Sequence, residues 1–150
     1  MDIGAASIAR VRLSFARVQP AADVAARTFY AHLFQAHPEL RPLFKGDLQA
    51  QGAKLMDMLA TTVALLTRPW GLAPVLRRLG ERHAGYGVQP WHYRAVGTAL
   101  LKTLEEVLGS DFGPDERSAW ASVYARLAEA MQAANAASCD AGKRLFGDAA

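Results

Sequence analysis

The chain has 150 residues, 51% of them hydrophobic, with a formal net charge of +3 and a single cysteine. That length holds one domain with a real core and is short for two. The lone Cys139 excludes an intrachain disulfide framework and a cysteine zinc site, and the basic residues are too scattered to track nucleic acid.

The N-terminus lacks the basic start and long apolar core of a signal peptide, and no stretch of about 18 apolar residues occurs. The expectation is a cytoplasmic protein with no membrane span. Alanine, leucine and arginine dominate while isoleucine is scarce, which favours helix over strand. No alternating pattern with a hairpin turn occurs. The expected class is all-α.

A 3.6-residue apolar period marks six to seven helices. The first is expected from about Ala5 to Val18, stopping before Pro20. The second starts near Pro20, a residue suited to a first helical turn, and runs to about Ala36. "HPELRPLF" follows, and its two prolines forbid a long helix. A third helix is expected from Asp47, as N-cap, to about Leu66, with the stripe Leu48, Gln51, Leu55, Leu59 and Val63. The fourth spans roughly Leu72 to His83, with the stripe Leu72, Leu76, Leu79 and His83. Pro90 opens the fifth, whose stripe is Tyr93, Val96, Leu100, Leu104 and Val107. The last opens near Pro114 and its signal fades after Ala137. The reading is one domain over 1–150, with a core at about 5–137 and a weakly ordered tail at 138–150.

Several polar side chains interrupt these apolar faces: Tyr30, Gln51, His83, Asn135 and, at the start of a stripe, Tyr93. Burying such groups without partners costs on the order of a few kcal/mol each. For His83, position alone favours a core histidine bonded to a backbone carbonyl; the alternative is a metal or haem ligand. A bare zinc ion needs three or four protein ligands, and no HExxH, HxH or CxxC pattern occurs. Haem needs only one axial histidine, because the porphyrin supplies four nitrogens. Tyr30 and Gln51 are hydrogen-bonding residues that could face such a group.

The ordered set Tyr30, Pro38, Phe44, Gln51, Leu55, His83 and Tyr93 resembles the globin family. The likeness is to bacterial single-domain globins and the haem domain of flavohaemoglobins. It covers about residues 5 to 137, through "FYAHLFQAHPELRPLF", "QGAKLMDML" and "LGERHAGYGVQPWHYRAVGTALL". It implies a globin fold around haem b, with His83 as the proximal iron ligand and Tyr93 beside it. Phe44 resembles the phenylalanine stacked on the porphyrin. Tyr30 and Gln51 match distal, catalytic positions, and Leu55 the apolar residue one turn further along. Leu79, Val88 and Val96 are expected to pack against the haem, and Lys54 to reach a propionate.

The implied function is reversible, high-affinity oxygen binding at ferrous iron, for storage or scavenging. Nitric oxide dioxygenation is the enzymatic alternative, and a gas or redox sensor a third. No reductase pattern such as GxGxxG occurs here, so turnover would need an external reductase. The implied partners are oxygen, nitric oxide or other diatomic ligands, with no nucleic acid and no membrane. Monomer and homodimer both stay open. One departure stands out. Where flavohaemoglobins place a glutamate on the last helix, the count falls on Asn135. A neutral amide cannot draw a proton from imidazole, so a weaker push on the iron is expected.

Overall fold

The structure is a computed structural model that describes the backbone of residues 3–145 and the side chains of residues 3–134. All regular structure among these residues is helical: α1 (Ala5–Val18), α2 (Ala22–Ala36), α3 (Leu48–Ala64), α4 (Pro69–Gly85), α5 (Pro90–Leu108) and α6 (Pro114–Leu145). Short 3-10 turns at Gln19–Ala21, Pro38–Leu43, Leu65–Thr67 and Gly109–Asp111 join them.

Proline opens three of the six helices, α4, α5 and α6. Pro69 and Pro90 occupy first-turn positions, where a missing N–H costs nothing. α3 instead has the expected side-chain cap, the Asp47 carboxylate accepting from the Gln49 N–H at 3.1 Å. Two boundaries differ from the sequence reading. α4 begins at Pro69 rather than Leu72, because its first turn buries nothing until Leu72 and so carries no apolar signal. The backbone of α6 runs to Leu145, past Ala137, through residues that include no proline. Of the tail expected at 138–150, residues 146–150 lie outside the described residues.

α6 packs on α1 and α4, and α2 packs on α3 and α5. Trp120 locks α6 to α1: its indole N–H donates to Ser14 Oγ at 2.7 Å, and that hydroxyl donates to the Arg10 carbonyl at 2.6 Å. A buried polar pair is thus satisfied inside the apolar core. α3 and α4 meet through the Leu65–Thr67 turn and do not pack along their lengths. Joined at one end, these two helices are held by different partners, α2 and α6, which leaves their facing stripes free to diverge into a cleft toward the other ends.

Candidate functional site

The cleft shows in the burial of the two apolar stripes. Near the shared corner, Val63, Leu66, Leu72 and Leu76 are buried. Toward the open ends Leu48, Leu55, Leu59 and Leu79 are only half-buried, although they touch the core. Val88 and Val96 are half-buried in the same way, and so is Phe44. Apolar surface left half-covered stabilises whatever apolar body covers it, at about 25 cal/mol per Å².

The distal wall is α2 against α3. The helices approach closely at Gly52, where an added Cβ would come within 2.9 Å of Ala26 Cβ. Beside this crossing Tyr30 is buried among aromatics. Its ring stacks on Phe34 at 5.7 Å and meets Phe29 and Phe44 edge-on at 5.2 and 5.4 Å. The Phe44 corner is held by Arg41, which donates to the Phe44 carbonyl at 2.7 Å and lies over the Phe34 ring. Burial raises the Tyr30 pKa above its ordinary value, so the phenol keeps its proton. Tyr30 is 6% exposed, and its hydroxyl makes no hydrogen bond with any described residue. Gln51 is half-buried and its Nε2 donates to the Lys45 carbonyl at 3.1 Å, tying α3 to the loop after Phe44.

The proximal wall is the end of α4 with α5 and α6 behind it. Gly80 lets α4 sit directly on the Met131 carbonyl of α6, a space a Cβ would fill. α4 ends in a paired closure: the Val88 N–H bonds to the His83 carbonyl and the Gly87 N–H to the Ala84 carbonyl, both at 3.0 Å. Gly87 takes φ +78° to make this turn, whereas Gly85 is still helical. Of this pair only Gly87 needs to be glycine. This closure pins the backbone of His83. On the side-chain side, the Tyr93 hydroxyl lies 3.4 Å from His83 Nδ1, with the rings edge-on. The Tyr124 hydroxyl of α6 donates to the Tyr93 carbonyl at 2.6 Å. Burial, and then the Arg82 charge, lower the His83 pKa, which favours the neutral imidazole. In the tautomer that carries its proton on Nδ1, beside Tyr93, the Nε2 lone pair is left for a metal.

No three His, Cys, Asp or Glu side chains among the described residues gather as a bare-ion site. The donor set is one neutral imidazole facing apolar surface. A model of the globin family matches residues 27–131. The chain belongs to the globin family. This globin is 36% identical over 106 residues to the flavohaemoprotein of Rhizobium meliloti, covering 69% of this chain and 26% of that protein. It is 35% identical over 119 residues to the flavohaemoprotein of Deinococcus radiodurans, covering 77% and 30%. The chain thus spans less than a third of these relatives' length. A nitric oxide dioxygenase-like engineered carbene transferase from Rhodothermus marinus matches in structure with a TM-score of 0.84 at 28% identity, covering 93% of this chain and 98% of that one. The family and its flavohaemoprotein relatives imply haem. The residues present fit that group: a half-covered apolar cleft, one oriented imidazole and a buried hydroxyl without a partner.

The structure brings the expected residues together in two sets. Tyr30 and Phe44 are in contact on one wall, and His83 and Tyr93 on the other. Leu55, Leu79, Val88 and Val96 are half-buried against the core, and Lys54 is exposed. Asn135 is on α6, but its side chain lies outside the described residues. Sequence reasoning missed two supports. One is Tyr124, which no local pattern links to Tyr93. Nor did any pattern link Gln51 to the Lys45 carbonyl. No helix among the described residues is long and apolar enough to cross a membrane.

Proposed function

We propose that this globin binds haem b through His83 and holds oxygen reversibly, with Tyr30 and Gln51 as distal donors. Haem, when bound, would supply the iron site for a diatomic gas, and Tyr30 and Gln51 would donate hydrogen bonds to that gas. The observation that carries the reading is the buried, unpartnered Tyr30 hydroxyl. A lone donor inside a protein costs free energy unless a ligand accepts from it. Gln51 Nε2 is the second donor, and it must release the Lys45 carbonyl to act. Tyr93 orients His83, and Phe44, Leu55, Leu79, Val88 and Val96 supply apolar cover. Lys54 makes no ion pair with a described residue, so its ammonium is available to a haem propionate.

A second reading, nitric oxide dioxygenation with an external reductase, is favoured by the likeness to the Rhodothermus marinus protein. Both readings need slow oxygen release from the same donors. Oxygen association and dissociation rates on the reduced protein, followed by nitric oxide, test them together. Slow release supports the binding function; fast release with no sensitivity to Tyr30→Phe defeats it. Stoichiometric nitrate with rapid re-reduction by a reductase supports the enzyme. Oxidised protein that persists for minutes in the presence of the donor defeats that second reading alone.

A further inference from the structure

A separate concavity is lined by none of the residues expected to touch haem. It is a groove of about 310 Å³ between the C-terminal half of α2 and the exposed face of α5. Its floor is alanine: Ala95 and Ala99 are buried on α5, and Ala36 closes α2. These small side chains leave the groove open where larger ones would fill it. Its volume lies at the small end of pockets that hold organic ligands, roughly 300–1,000 Å³.

The lining is chemically polarised. Arg94, Thr98 and Lys102 recur every four residues, so they share one face of α5 over about 12 Å. Neither Arg94 nor Lys102 pairs with an acid among the described residues. The nearby carboxylates are engaged with the groove's histidines, Glu106 lying 3.3 Å from His32 and Glu39 3.3 Å from His37. Two permanent positive charges and a hydroxyl therefore line the groove with no carboxylate in contact with either cation among the described residues, while Glu39 and Glu106 lie at its rim against the histidines. The other end is aromatic. The half-buried Trp91 ring lies 5.3 Å from the His37 ring and 4.2 Å from the His92 ring, held between them.

We propose that this groove binds an aromatic anion of about mononucleotide size, a planar ring carrying a phosphate or carboxylate. The ring lies against Trp91 and His37, and the anionic group accepts from Arg94, Thr98 and Lys102. A flat aromatic face gains from such stacking, and a charged acceptor gains from paired cations that have no other partner. A bare inorganic anion uses only half of this surface.

Calorimetric titration of the full chain with adenosine monophosphate, salicylate and inorganic phosphate at constant ionic strength tests the site. Saturable binding of either aromatic anion, tighter than inorganic phosphate by about tenfold, is expected. The nucleotide alone assigns a phosphate-bearing ligand, and salicylate alone a carboxylate. Arg94→Gln with Lys102→Gln weakens binding by about tenfold, and Trp91→Ala weakens it as well, while Arg77→Gln with Arg78→Gln on α4 leaves it unchanged. The exchanged cations are exposed, so the charge variants keep the core. Absence of saturable binding, equal affinity for inorganic phosphate, or equal loss in the α4 variant overturns the proposal. A shift of the Soret band on titration also overturns it, since the anion is then entering the haem cleft.

Discussion

The two walls of the cleft are built on opposite principles. On the proximal wall the polar atoms that orient His83 are held by other protein groups. Tyr124 fixes Tyr93, Tyr93 meets His83, and the helix-end closure pins the His83 backbone. The distal wall holds its shape through the close approach at Gly52 and four aromatic rings, yet the Tyr30 hydroxyl has no partner among the described residues. An axial ligand must keep one orientation, so its surroundings should be saturated with hydrogen bonds. A donor meant for an exchanging guest must stay unspent. The contrast is what a fixed cofactor on one side and a transient ligand on the other would demand.

Removing the fixed side should give the largest effect. His83→Ala is expected to reduce haem retention by more than the ~10–100-fold that loss of an outer-shell partner costs. Soret absorbance per protein after reconstitution measures this, and unchanged haem content would reassign the ligand. On the exchangeable side, Tyr30→Phe should raise the oxygen dissociation rate about fivefold to tenfold, as loss of one buried hydrogen bond predicts. The same variant should not destabilise the haem-free fold, because the hydroxyl has no protein partner to lose. Gln51→Ala should act in the same direction but less, since its amide is shared with Lys45. Stopped-flow rates giving the reverse order would exchange the roles of the two donors.

Smaller effects test the frame around His83. Gly87→Ala forces a side chain into positive φ and should cost about 1 kcal/mol in denaturant unfolding. An unchanged midpoint would show that the closure does not strain. The smallest effect is one of pH. At the start of α5, His92 Nδ1 accepts from the Gln89 N–H at 2.8 Å, completing a reciprocal cap. Burial lowers the His92 pKa, outweighing the nearby Glu39 carboxylate, and His37 adds to the lowering. The folded chain therefore takes up this proton less readily than the unfolded chain. Its contribution is complete above about pH 6.5 and is lost as pH falls below that toward the lower folded value. His92→Gln keeps an acceptor without titrating, so its stability should fall less between pH 7 and 5. Melting curves with equal slopes in both proteins would remove His92 from the account.

Much of this was legible because its causes are local. α1 from Ala5 to Val18, the Asp47 cap and the start of α5 at Pro90 follow from apolar period, carboxylate capping and proline geometry. His83 stood out because a histidine continued a leucine stripe. The start of α4 was misplaced for the converse reason: its first turn faces solvent, and Trp70 is 81% exposed. The links of Tyr124 to Tyr93 and of Gln51 to Lys45 could not be read, since neither leaves a local pattern.

By itself the sequence determined the helical class, most helix starts and the polar residues that break apolar faces. These depend on interactions within a turn or two of chain. The tertiary structure decided what those residues face. It joined α3 and α4 at one end only, leaving their stripes half-covered, and it placed Tyr93 on the ring of His83. It also buried the Tyr30 hydroxyl without a partner. Burial and partner choice depend on residues distant in sequence, which no single helix's periodicity encodes.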